Sequence, residues 1–522
     1  MSLCTEGHPT TDDLRRSYDG IPYPDVAKPF THISRLAAIG NLHGLTPVTP
    51  ASCQVLDLGC ADGGNLLPMA LRFPRSQFTG IDLSSRQIEI GRGHASAAAA
   101  SNLNLRVADI LDLGSADLGC YDYIIVHGVY SWVPAPVQEK ILSICRDHLN
   151  ADGLAYVSYN TYPGWRAKQA LREMLRYHTQ RIDAPRAKAE AALTFLGALP
   201  TATDLPGDPA AIVADRVRHD LESVEDPVTY LVHEYLIDAN QPLYVSDFLS
   251  RVAAKGLQYV DDAFPGSTAP ERLPPAAQQL VREASGDTCG QQQYIDFMAN
   301  VSFRRSLLCH ARLQLRRDVP LDRLRPLYAA ATCSRRDPID GTPTFRTDPG
   351  QVFSVQHEGL RGILDRLVEA RPTSVPVLHL LDILGGDVTD GEAAAMLSGL
   401  LHSAALEFTS HPFHCTTHAG ERPCASNLAR YQAASGLVTN AVHRPVRIQD
   451  PVEQHLLPLL DGTCRMPELV ALLQKRLTPG KPLSEAEWHA LVEDRLAHLA
   501  RQGLLIPPAE ANPPSCPSPT PG

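Results

Sequence analysis

The chain has 522 residues, of which 44% are hydrophobic and 20% charged, with a formal net charge of -11 from 47 Lys+Arg against 58 Asp+Glu. That length exceeds a single hydrophobic core and requires roughly two to four domains. The acidic balance argues against a nucleic-acid backbone as the main ligand, because phosphate binding needs a positive field.

The N-terminal stretch from Met1 to Arg16 is polar and does not read as a signal peptide. Residues 52–160 then alternate strand-like apolar runs with helical ones, the pattern of a parallel α/β sheet. Strands are expected at Gln54–Leu58, Phe78–Ile81, Leu105–Val107, Tyr123–His127 and Leu154–Tyr159. Helices are expected at Leu66–Leu71, Ser85–Ala100 and Val137–Leu149. From Gly164 to about Ser223 the spacing is helical. The divisions read from this pattern are 1–178 for the α/β domain and 179–225 for a helical connector. Beyond them come 226–313, a mixed unit at 314–435, a helical, winged-helix-like unit at 436–508, and a disordered Pro-rich tail at 509–522. No stretch reaches the approximately 20 apolar residues of a membrane helix. Of the 12 cysteines, Cys53, Cys60, Cys145 and Cys309 sit in apolar runs, which points to free thiols in a reducing cytoplasm.

The chemical signal begins at Val55-Leu-Asp-Leu-Gly-Cys-Ala-Asp-Gly-Gly-Asn65, where a strand enters a small-residue turn and then a helix. Small residues allow close backbone approach, and the helix start offers free N–H groups. Asp57 lies in the strand before the turn, placed to anchor a cationic amino-acid group. Asp82 ends the second strand, where a carboxylate accepts from two ribose hydroxyls. Asp109 ends the third, where an acid takes an adenine amino proton. Three carboxylates at successive strand ends suit a ligand with a sulfonium and no phosphate.

At these residues the sequence resembles the class I S-adenosylmethionine-dependent methyltransferases. It resembles in particular the bacterial group with a methyltransferase regulatory domain, which includes rickettsial outer-membrane-protein lysine methyltransferases. Further residues carrying the likeness are Tyr18-Asp-Gly-Ile-Pro-Tyr-Pro24, His127-Gly-Val-Tyr-Ser-Trp-Val-Pro134 and Ser158-Tyr-Asn-Thr-Tyr-Pro-Gly-Trp165. Tyr230-Leu-Val-His-Glu-Tyr-Leu236, Tyr294–Phe297, Phe303–Arg305 and Leu459–Thr463 extend it over nearly the whole chain. The resemblance implies a Rossmann-like class I methyltransferase domain followed by mostly helical regulatory and C-terminal domains. It implies S-adenosyl-L-methionine held by Tyr18, Tyr23, Asp57, Gly59, Ala61, Gly63, Asn65, Asp82, Leu83, Asp109, Ile110 and His127. Ala61 replaces a glycine usual in the family and is tolerated if its φ is negative.

The loops after strands four and five should face the methyl group. Their residues His127, Tyr130, Tyr159 and Asn160 are the catalytic candidates, and Tyr130, Trp132, Tyr162 and Trp165 the acceptor-binding ones. Aromatic faces hold an amine by cation–π attraction of about 0.5–2 kcal/mol each. The resemblance favours a protein lysine as acceptor, with O- or N-methylation of a small metabolite or peptide natural product as the alternative. No nucleic acid or membrane partner is expected. The cluster His411, His414, Cys415, His418 and Cys424 lacks paired zinc spacing and reads as a polar loop, so no metal is expected. Glu234 reads as a structural residue on an amphipathic helix outside the cofactor domain. Apolar faces beyond Asp226 must bury against the catalytic domain or against a second copy in a homodimer. With the carboxylates before residue 110 and the strands complete by Tyr159, a chain ending near His178 is expected to bind the cofactor alone.

Overall fold

The computed structural model describes residues 26–507, apart from 223, 225, 238, 340–341, 386–387 and 478–482. Tyr18, Tyr23 and the tail 509–522 lie outside the described residues. Helix α1 (Ile33–Leu42) precedes five strands, β1 (Gln54–Leu58), β2 (Gln77–Asp82), β3 (Leu103–Val107), β4 (Tyr121–Val126) and β5 (Leu149–Asn160). Helices α2 (Leu66–Arg72), α3 (Ser85–Ala97) and α4 (Ala135–His148) connect them. These five strands pair in parallel. Successive side chains point to opposite faces, and both faces are covered. Val55, Tyr123 and Ile125 pack with Leu66, Met69, Ile88 and Ile33. Leu56, Ile124 and Val126 pack with Ile141 and Leu142 of α4. That burial on both sides is why the strands are nearly continuous apolar runs.

The sheet does not end with β5. Strands β6 (Leu257–Asp262) and β7 (Phe303–His310) complete a seven-stranded sheet of order β3-β2-β1-β4-β5-β7-β6. β7 runs antiparallel to β5, from Ala155 opposite Leu308 to Asn160 opposite Phe303. The α/β domain expected to close near residue 178 therefore draws two strands from the 226–313 segment. Between β5 and β6 lies a helical insertion. It comprises α5 (Gly164–Thr179), α6 (Pro185–Ala198), α7 (Pro209–Glu222) and α8 (Pro227–Leu231), running into a π-helical turn at Val232–Leu236. Leu171, Leu175, Leu196, Val217, Leu231 and Tyr235 form its core, so the expected connector packs as one unit with its neighbours. Helix α9 (Val245–Ala254) covers the sheet through Phe248 and Val252.

Helices α10 (Pro275–Ala284) and α11 (Thr288–Ala299) lead into β7, where Arg304 has no solvent exposure. Its guanidinium donates to Asp296 Oδ1 at 2.6 Å and to Gln292 Oε1 at 2.6 Å. Burial pushes the Asp296 carboxyl up to about 6, against the pull of that guanidinium.

The later segments bury their apolar faces against the α/β domain. Ala38 and Leu42 of α1 join a core with Leu324, Leu364, Leu397 and Phe408. Arg35 forks onto Glu407 at 2.7 and 2.6 Å. The last unit begins earlier than residue 436, since Ala425, Ala429 and Ala433 belong to its core with Leu469, Trp488 and Val492. Cys424 and Ala425 pair with Asp461 and Leu505. His411 Nε2 contacts Thr49 Oγ1 at 3.2 Å, while Cys415 packs against Phe413 and Val442. Among the described residues no helix is long and apolar enough to cross a membrane.

Two outcomes follow from the β5–β7 pairing. A chain ending near residue 178 exposes the β5 edge and its apolar neighbours, so it should aggregate where the full chain is monodisperse, as gel filtration will show. Arg304→Leu leaves Asp296 buried without its partner and should cost about 3–5 kcal/mol of unfolding free energy, measured by urea titration.

Candidate active site

The chain leaves β1 through a turn that sequence alone misjudges at one position. Gly59 has φ +76°, and a Cβ there would lie 2.3 Å from Cγ2 of Val129, so only glycine fits. Ala61 has φ +47°, not the negative value expected of an alanine. The left-handed conformation costs about 1–2 kcal/mol for a residue with a Cβ. Its N–H donates to Asp82 Oδ2 at 2.8 Å, which holds the backbone there. Asp82 Oδ1 accepts from Ser84 N at 2.9 Å, so the carboxylate is fixed by two backbone donors.

Asn65, at the start of α2, is buried beside Asp57, with Nδ2 3.5 Å from Asp57 Oδ2. Its Oδ1 accepts from Lys28 N at 2.9 Å, Thr31 Oγ1 at 2.9 Å and His443 Nε2 at 3.0 Å. Burial, then Arg35 and Lys28, lower the His443 pKa to about 3, so its ring is neutral. Asp109 accepts from Leu111 N at 2.9 Å and caps the short turn that contains Ile110.

A cavity of about 380 Å³ opens over the C-terminal ends of these strands, a volume suited to a small ligand. Gly59, Ala61, Asp82, Leu83, Asp109 and Ile110 line it, and so do His127 and Trp132 after β4, Asn160 at the end of β5 and Trp165 in the first turn of α5. Asp57, Gly63 and Asn65 do not line it; Asp57 and Asn65 are buried and brace the turn.

His127 Nδ1 is 2.8 Å from Tyr156 Oη, and the residue lines the cavity. Burial, and after it Lys28 and Arg305, hold the imidazole well below its usual pKa, so it is neutral. Asn160 Nδ2 donates to Asn240 Oδ1 at 3.1 Å. Trp132 and Trp165 are buried and meet edge to face, with ring centroids 6.2 Å apart. Tyr162 packs behind this pair and against Tyr244, with centroids 5.4 Å apart.

Tyr130 and Tyr159 do not belong with this group. Both are fully buried on the other side of β5, where Phe248 lies 5.3 Å from Tyr130 and 4.1 Å from Tyr159. Burial pushes the Tyr130 phenol up to about 12 and Tyr159 higher still. Core phenols of this kind cannot relay a proton to an acceptor in the cavity.

The structure adds residues that sequence reasoning missed. Lys28, Lys168, His233 and Glu234 line the cavity, the last three from the helical insertion. Glu234 was expected to be structural. It is half-buried in the π-helical turn, and burial pushes its carboxyl up to about 7 while Lys168 opposes the shift. π-turns inside helices are frequent at functional sites. The available signal was the run Tyr230–Leu236, a family-like motif far from the cofactor turn.

Comparison with known proteins agrees with this geometry. A methyltransferase domain model matches residues 50–188, a predicted methyltransferase regulatory domain 227–310, and the C-terminal winged helix domain of PKMT 421–504. The uncharacterised protein RP028 of Rickettsia prowazekii is 37% identical over 239 residues, covering 46% of this chain and 94% of that protein. RP789 of the same organism is 32% identical over 305 residues, which is 58% of this chain and 54% of that protein, so the match spans about half the relative's length. The structure of PKMT2 from Rickettsia typhi, also solved in complex with AdoHcy, superposes with a TM-score of 0.79 at 28% identity, covering 93% of this chain and all of that one. The chain belongs to the S-adenosylmethionine-dependent methyltransferases that carry a methyltransferase regulatory domain.

Proposed function

We propose that the chain methylates lysine side chains of a polypeptide. The observation that carries this reading is one cavity in which the cofactor turn opens directly onto the paired rings of Trp132 and Trp165. When bound, S-adenosylmethionine supplies an electrophilic methyl group on a sulfonium. The residues present suit it. The Gly59–Ala61 turn gives a close backbone approach, Asp82 and Asp109 offer carboxylates fixed by backbone donors, and Asp57 is buried beneath the turn. Likeness over 93% of the chain to PKMT2, a protein lysine methyltransferase, supports a polypeptide acceptor. Relatives named for small acceptors, such as trans-aconitate 2-methyltransferase of Deinococcus radiodurans, match 124 residues at 29% identity. That covers 24% of this chain and gives no purchase on the acceptor. Buried thiols outside any disulfide at Cys53, Cys145 and Cys309 support a reducing compartment.

The chain's own part is to position and desolvate the acceptor. A lysine ammonium, with a pKa near 10.4, costs about 4.6 kcal/mol to deprotonate at pH 7. Withdrawal from water and proximity to a second positive charge both lower that cost. His127, being neutral, adds no further positive charge and presents one ring nitrogen to orient the amine.

Incubation with methyl-labelled cofactor and host lysate should place label in high-molecular-weight material. Mass spectrometry should assign it as +14 increments, or multiples of them, on lysine. The rate should rise with pH, and His127 should add no limb near 6.5, because its pKa lies well below that value. Label confined to small molecules would assign a metabolite acceptor instead. Asp82→Ala should abolish calorimetric binding of S-adenosylhomocysteine, and an affinity within threefold of wild type would remove Asp82 from the cofactor site.

A further inference from the structure

Glu234 is a carboxylate that the cofactor does not call for, set in the same cavity. In the π-helical turn, Ile237 N bonds back to Val232 O at 2.9 Å. The widened turn lets His233 and Glu234 both reach the cavity, while Val232, Tyr235 and Leu236 stay in the core of the insertion. Trp165 lies alongside, and the ammonium of Lys168 sits 5.7 Å from its ring centroid. A side-chain ammonium is thus already held on this wall, at a distance typical of cation–π contact.

We propose that Glu234 receives the ε-ammonium of the acceptor lysine and takes its proton. This rests on the lysine reading above. The N–H bond of the ammonium breaks as an O–H bond forms on the Glu234 carboxylate. The lone pair stays on the amine, and the proton returns to solvent after the product leaves. The charged and titratable groups around Glu234 are Lys168 on α5, and His233, Tyr230 and Tyr235 on its own segment. Asp82, Asp109, His127 and Lys28 line the rest of the same cavity. Burial lifts the carboxyl to about 7. The same environment lowers the ammonium from near 10.4, so donor and acceptor approach each other in strength.

Two of the three tryptophans line the cavity, so fluorescence reports its occupancy. The S-adenosylhomocysteine-loaded full chain should bind n-butylamine, with affinity falling as pH drops through 7 and Glu234 protonates. Glu234→Gln should bind it at least tenfold more weakly, with no dependence near pH 7 and with S-adenosylhomocysteine affinity within twofold. Glu234→Asp should recover part of the loss. With the lysine-labelled polypeptide as acceptor, Glu234→Gln should turn over at least about 10²-fold more slowly and lose the limb near pH 7. Equal n-butylamine affinity in wild type and Glu234→Gln overturns the inference and leaves the lysine reading standing. A wild-type protein that does not bind n-butylamine overturns both.

Discussion

The antiparallel pairing of β7 on β5 is the constraint on which the site depends. β5 ends at Asn160, and the loop that follows carries Tyr162 and leads into Trp165 in the first turn of α5. That loop is held by residues far along the chain. Thr161 N donates to Ser302 O at 3.0 Å, and Gly164 N to Val301 O at 3.0 Å. On its other side, Leu243 N donates to Asn160 O at 3.1 Å and Thr161 Oγ1 to Leu243 O at 2.7 Å. The cavity wall around Trp165 is therefore a clamped backbone between two distant segments. Arg304 anchors the clamp, because its buried pairing with Asp296 ties α11 to β7 next to Phe303, which itself lines the cavity. A buried pair of this kind is weak as net stabilisation and costly to break, which suits an element whose value lies in its register.

The cofactor turn is keyed from the opposite direction. Asn65 gathers the segment before α1, the turn and His443 of the last unit onto one amide. His443 has φ +59°, a left-handed conformation for a residue with a Cβ, and it is 3% exposed. Such a conformation persists where the surroundings over-determine it. Neutrality of the ring matters here, because a charged imidazole would face Arg35 and Lys28 across a buried interface. The last unit is thus in hydrogen-bond contact with the residue that braces the cofactor turn.

Period and composition revealed the parallel core because each strand obeys a local rule. Gln54–Leu58 is read correctly to the residue, and Asp82, Asp109, His127, Trp132, Asn160 and Trp165 all reach the cavity. Tyr159 and Asn160 illustrate what local reading overlooks. Neighbours on a strand point to opposite faces, so the pair could not both serve one site, and Asn160 is the one that lines the cavity. Ala61 shows another gap, since its φ is set by a hydrogen bond from 21 residues away. β6 and β7 were hidden by distance: the insertion separates them from β5, and no periodicity says which sheet a late strand will join. Glu234 was hidden twice, by that distance and by a π-turn that α-helical periodicity does not describe.

On the proposed lysine reading, the cavity must bring two positive groups together. A sulfonium and an ammonium repel each other, and the repulsion grows as the surroundings lose water. The cavity contains three carboxylates, Asp82, Asp109 and Glu234, against two lysines, Lys28 and Lys168. Lys28 Nζ is turned onto Val26 O at 3.0 Å, and Lys168 lies over Trp165, so each cation already has a local partner. His127 is kept neutral by burial. The carboxylates are also divided between sources. Asp82 ends β2 and Asp109 follows β3, both fixed by backbone donors, whereas Glu234 comes from the insertion. Two of the cavity's carboxylates thus come from the strand ends of the parallel sheet, and the third from the helical insertion between β5 and β6.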